Sequence, residues 1–181
     1  MTKQLFFDTD CISAFLWVQE QSIVAKLYPG RIKIPRETYN ELSIPTIRHL
    51  KDRIDILIKE GNAEIIDIPI DDEAYSIFYQ LTEKPSNGHP IIGKGEAACL
   101  ALAKTNNGII ASNNLLDIYD YVTELKIEHI TTGDILIDAM NANLISEDEA
   151  NYIWQKMLKK RRRLGAESFS GYLRMKEQLK K

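Results

Sequence analysis

The stretch FFDTD (residues 6–10) sets two carboxylates, Asp8 and Asp10, two residues apart at the end of an apolar run. Three more acids stand in distinctive company further along: Glu41 in IPRETYNEL, Glu96 in GKGEAACLALA and Asp117 in IIASNNLLD. Carboxylates gathered round one cavity repel each other, and some stay protonated unless a cation neutralises them. Hard oxygen donors without a Cys or His cluster favour Mg²⁺ or Mn²⁺ over zinc. That set suits phosphodiester hydrolysis, in which metal-held water attacks phosphorus and the metal also steadies the leaving oxygen.

Each of these residues has a plainer reading. Asp8 and Asp10 are also good helix caps, and Glu41 and Asp117 could be solvated helix acids. Glu96 could serve the macrodipole in a first turn. Asn113 and Asn114 read as a strand-to-helix cap, or as amides whose carbonyl offers oxygen without charge. Hydroxyls such as Thr9 and Ser112 more often satisfy nearby backbone groups than ligands. KKRRR, Lys159, Lys160, Arg161, Arg162 and Arg163, is the clear basic cluster. It reads as a solvated helix end or as a contact to a phosphate backbone, and Lys94 is a second such contact. Cys11 and Cys99 read as buried free thiols. His49, His89 and His129 share no ligand spacing.

The elements that must position these groups alternate. Strands are expected over residues 4–8, 31–35, 63–70, 108–112 and 127–131, from short runs rich in Ile and Phe. Helices are expected over 11–28, from Pro35 through RETYNELS, and over 47–61, 71–81, 96–107 and 113–125, with three more at 133–142, 146–163 and 165–180. Residues 82–95, dense in Pro, Gly and Asn, read as loop. Alternating strands and helices imply a three-layer α/β/α sandwich around a mainly parallel sheet of four to five strands. The expected organisation is one α/β domain over residues 1–140, with a helical C-terminal extension over 141–181 packed on it. In such a sheet, ligands gather beyond the carboxyl ends of the strands. Asp8 and Asn113 fall there, with Asp117 one turn into the following helix.

The 181 residues, 44% hydrophobic and 27% charged, are those of a globular domain with a sizeable core. A net charge of −3 excludes a protein that binds nucleic acid through overall charge. Binding to a polyanion then needs a local patch or bound cations. No signal peptide or membrane-spanning apolar run is evident, and a reducing cytoplasm is expected.

The chain resembles the PIN-domain nucleases, including the VapC-type toxins of bacterial toxin–antitoxin systems. FFDTD, IPRETYNEL, GKGEAACLALA and IIASNNLLD follow in the family's order across residues 3–131, and TTGDILIDAMNANLIS is similar to the closing segment of a bacterial subgroup. The resemblance implies a Mg²⁺- or Mn²⁺-dependent ribonuclease with Asp8, Glu41, Glu96 and an acid near 113–117 as ligands. It also implies a homodimer, with a cognate antitoxin as partner for the toxin members. One departure stands out: many members carry Asp after the fourth strand, where this chain has Asn113 and Asn114. Asp117 would supply the charge, with Asn113 as a neutral ligand. The alternative is a PIN-like module that binds RNA or protein without cutting. The opening Asp-x-Asp is also similar to haloacid-dehalogenase-like phosphatases, but Ile12 stands where that family carries Thr or Val, and IIASNN lacks its paired Asp. A nucleotide-binding Rossmann module would need a Gly-rich turn after the first strand, which this chain lacks.

Overall fold

The computed structural model describes residues 2–85 and 89–179. Ser86, Asn87 and Gly88 of the expected loop, and Lys180 of the last expected helix, lie outside the described residues. Five parallel strands form one sheet: β1 (Leu5–Phe7), β2 (Ile32–Pro35), β3 (Ala63–Ile66), β4 (Ile109–Ala111) and β5 (Glu128–Ile130), in the order β3-β2-β1-β4-β5. The chain moves outward from β1 to one edge, then crosses back to place β4 on the other side of β1. That reversal opens a crevice at the carboxyl ends of β1 and β4.

β1 shows why both faces of the sheet must be covered. Its side chains alternate, so Leu5 and Phe7 enter one core and Phe6 enters the other, all at most 1% exposed. The first core is closed by α1 (Thr9–Val18), α2 (Gln21–Leu27), α4 (Arg48–Lys59), α8 (Thr132–Asn141) and α9 (Glu147–Lys159). The second is closed by α5 (Glu73–Glu83), α6 (Lys94–Thr105) and α7 (Leu115–Leu125). α3 (Arg36–Leu42) follows directly on Pro35, which ends β2 and caps the helix instead of occupying its first turn. α4 closes as its sequence predicts, on Gly61 at φ 74°.

The last helix, α10 (Phe169–Leu179), joins α9 in the first core. Trp154, fully buried, packs against Phe169 and Tyr172, with ring centroids 6.1 and 5.4 Å away, and its indole N–H donates to Ala166 O at 3.0 Å. These aromatics share one core with Phe7 and Ile12.

Two expected helices end early. The helix expected over 11–28 breaks at Gln19, whose φ is 64°. Gln19 N–H donates to Leu16 O and Glu20 N–H to Phe15 O, and the Arg53 guanidinium also reaches Leu16 O. A left-handed cap on Gln carries no Gly or Pro signal, so periodicity runs through it unbroken. The helix expected over 146–163 ends at Lys159, and Arg161 at φ 60° turns the basic run back on the molecule.

Candidate active site

The site starts from β1. Past Phe7 the pairing continues for one residue, with Asp8 N–H donating to Ala111 O at 2.9 Å, so the ends of β1 and β4 lie side by side. Asp8 takes extended backbone angles as the N-cap of α1, its Oδ1 accepting from Thr9 N–H at 2.6 Å. Its other oxygen accepts from the Ser112 hydroxyl at 3.1 Å, across the strand junction. A carboxylate only 3% exposed is costly unless it is hydrogen-bonded or serves a purpose beyond the fold.

Asp10 follows in the first turn of α1 and accepts from Asn113 N–H at 3.1 Å. Glu41, near the end of α3, accepts from the Thr9 hydroxyl and from Gly95 N–H, the latter at 3.1 Å. Glu96, in the first turn of α6, accepts from the Asn114 amide at 2.6 Å. The same amide nitrogen donates to Asp117 at 2.6 Å, drawing that exposed carboxylate to the edge of the group.

The site is electrostatically crowded. Burial, and then the charges of Asp10 and Glu96, push the Asp8 carboxyl well above its usual range. Burial likewise raises Asp10 and Glu96. Burial also pushes up the thiols of Cys11 and Cys99, which keeps them protonated and inert.

Gly95 is what lets the acids meet. A Cβ at this position would lie 2.9 and 3.0 Å from the two Glu41 carboxylate oxygens and 3.2 Å from Asp8 Oδ1. Three oxygens thus converge on the space that a side chain would fill. Among the described residues no three Asp, Glu, His or Cys side chains form a ready-made metal cage. In this state the carboxylates are instead engaged by Thr9, Ser112, Gly95 and Asn114. The donor set, all oxygen and excess in negative charge, fits a hard divalent cation.

Two cavities meet here. A small one of about 260 Å³ is lined by Asp8, Asp10, Glu41, Glu96 and Arg162, among others. A larger cleft of about 580 Å³ shares Asp10, Glu96 and Arg162, and its walls include Asn114, Leu116, Arg161 and Arg163.

The structure therefore brings together Asp8, Glu41 and Glu96, with Asp117 at the margin, places Arg162 in their cavity and sets Arg161 and Arg163 on the adjoining cleft. Asn113, expected as a neutral ligand, also lines the larger cleft, with its side-chain amide engaged by Thr132. Its amide donates to the Thr132 hydroxyl and accepts from Thr132 N–H, both at 2.9 Å, so both ends brace α8 against the end of β4. Asn114 is the amide that faces the acids. Lys159 and Lys160 point elsewhere, lining a groove with Trp17 and Lys156. Lys94 is exposed at the start of α6 and lines neither cavity of the acid site.

Asp10 belongs to the group, although its residue type and position suit a cap equally well. Asp8 does the capping, which leaves Asp10 to face the cavity. The Thr9 hydroxyl, expected to satisfy a backbone group, donates to Glu41, whereas that of Ser112 does both, accepting from Asn114 N–H at 3.2 Å and donating to Asp8. Adjacency to Asp8 and to the two asparagines is the signal that could have picked them out. Asp120 and His89 lie apart from the site, His89 standing 3.7 Å from Asp120 and 3.2 Å from Glu124.

A model of the PIN-domain family matches residues 4–178 of the chain. No curated protein matches it.

Proposed function

The chain belongs to the PIN-domain family, and from that premise we propose that it is a Mg²⁺- or Mn²⁺-dependent endoribonuclease. The observation that carries this reading is a pair of adjoining cavities that share Asp10, Glu96 and Arg162, one reaching Asp8 and Glu41 and the other Arg161 and Arg163. Acids that repel one another suit a cation, and arginines suit phosphate.

Asp8, Asp10 and Glu96 would hold the cation, with Asp117 adding charge from the edge. When bound, the cation supplies neutralisation of the phosphate charge and Lewis-acid activation. Arg161, Arg162 and Arg163 bind the RNA backbone, and Asp8 is oriented by Thr9 N–H and the Ser112 hydroxyl. Glu41, steadied by Thr9 and Gly95, accepts the proton of the attacking water on its carboxylate.

The test is incubation with mixed RNA in Mg²⁺, Mn²⁺ or EDTA, beside an Asp8→Asn control. Cation-dependent cleavage that is lost in the control supports the reading. Cleavage that survives in the control overturns the assignment of the site.

A second reading is a PIN-like module that binds RNA or protein without cutting. It draws on Asn114, an amide between two carboxylates where an acid would add charge. Absence of both cleavage and Mn²⁺ binding would favour it. Family membership is the support for a role as the toxin of a toxin–antitoxin pair, with an antitoxin and a second copy of the chain as partners. An adjacent gene for a small DNA-binding protein, and the mass of the purified protein in solution, test those two proposals.

A further inference from the structure

The five-residue basic run does not act as one patch. α9 ends in a left-handed turn at Arg161, with Arg161 N–H on Leu158 O at 2.8 Å and Arg162 N–H on Met157 O at 3.1 Å. Gly is the residue that adopts this turn without strain, and here Arg does so. Leu164, 7% exposed, anchors the chain just beyond. The turn separates the cations. Lys159 and Lys160 go to the Trp17 groove, while Arg161 and Arg163 stay exposed on the wall of the larger cleft.

Arg162 alone of the run lines both the larger cleft and the small acid cavity. Its guanidinium lies 5.7 Å from the Trp17 ring centroid, Nε donates to Lys160 O at 3.0 Å, and one terminal nitrogen is 3.5 Å from Ser13 Oγ. Among the described residues it closes no ion pair within 4.0 Å, although Asp10 is the charge that acts on it. A half-buried arginine is thus held at the acids with donors to spare, by a ring contact and a strained turn. A cation needed only to offset the acids would close on one of them.

We propose that Arg162 is a catalytic residue that donates hydrogen bonds to the non-bridging oxygens of the phosphate undergoing attack, whereas Arg161 and Arg163 hold neighbouring phosphates. This rests on the reading of the cleft as a phosphodiesterase site. Arg162 keeps its protons throughout. Water adds to phosphorus and gives a proton to Glu41, the bond from phosphorus to the leaving ribose oxygen breaks, and that oxygen takes a proton from solvent, to which Glu41 returns its own. The guanidinium offsets charge that grows on the equatorial oxygens, where a planar fork is well matched.

The test compares Arg162→Ala, Arg162→Lys and Arg163→Ala by steady-state cleavage of a fluorescein-labelled oligouridine in Mn²⁺, and by direct Mn²⁺ titration without RNA. Loss of a donor to the reacting phosphate lowers kcat about 10²–10³-fold. Arg162→Ala should show this with little change in KM, and Arg162→Lys should recover only part. Arg163→Ala should act mainly on KM. Removing a like charge from the acid cavity should also tighten Mn²⁺ binding in Arg162→Ala but not in Arg163→Ala.

If Arg162→Ala and Arg163→Ala lose activity equally and through KM, or if Mn²⁺ affinity does not change, the inference is overturned while the nuclease stands. A wild type that cleaves no RNA overturns the nuclease reading and this inference with it.

Discussion

Replacing Gly95 with Ala separates the demands of the site from those of the fold. The added methyl would lie 2.9 and 3.0 Å from the Glu41 oxygens, where ordinary contact begins at 3.4 Å. Glu41 must therefore withdraw by about half an ångström. Its carboxylate is the far end of a flexible side chain, so the backbone need not move. The cost is weakening of its hydrogen bonds from Thr9 and Gly95, about 1.5–3 kcal/mol for bonds to a charged group. Against this, Ala is better than Gly in a helix by up to about 1 kcal/mol. The net loss is then about 0.5–3 kcal/mol, a fall in Tm of roughly 1–12 °C for a chain of this size. Catalysis is less forgiving, since misplacement on this scale costs about 10²-fold in rate, equal to about 2.7 kcal/mol of barrier. Cleavage rates in Mn²⁺ and thermal melts on the same preparation read both quantities. A variant that melts normally and cleaves at the wild-type rate would refute the idea that the missing side chain lets the carboxylates meet.

Asn114→Asp puts a third carboxylate between Glu96 and Asp117; it should lower Tm without metal and enlarge the rise in Tm on adding Mn²⁺, which paired melts would measure. Asp8, Asp10 and Glu96 bind protons more tightly folded than unfolded, so between their unfolded pKa near 4 and their raised folded values, stability falls as pH rises. Metal-free Asp8→Asn should therefore gain on the wild type in urea melts at pH 7 and lose that advantage near pH 4; a constant difference would contradict the shift. Gly133→Ala would drive a methyl to 2.3 Å from the Tyr172 ring and should destabilise by about 1–3 kcal/mol, with Tm falling accordingly and far-ultraviolet dichroism unchanged below the transition.

The order of strands and helices was legible because each apolar run has the period of its element. Phe6 against Leu5 and Phe7 is the clearest case, since alternation alone assigns them to opposite cores. The Gln19 break was not legible, because a left-handed cap on Gln has no composition to mark it. The acids were legible through their local company, Gly95 beside Glu96 above all. Their division of labour was not. Whether Asp8 or Asp10 caps α1, and whether Asn113 or Asn114 turns toward the acids, depends on the partners that β4 and α8 bring. Thr132 decides the second question, and nothing near Asn113 in sequence points to it. The basic run was visible as charge, but its division at Arg161 depends on one backbone angle.

The site also has a timetable. Asp8 is made 104 residues before Ser112, which orients it. Arg162, and the aromatic trio that seats the last helices on the first, come later still. During synthesis on a ribosome, Asp8 and Asp10 therefore wait through more than a hundred further residues for the neighbours that align them. The parallel topology thus draws the cleft from segments far apart along the chain, and withholds it until the segment that carries Arg162 has been made.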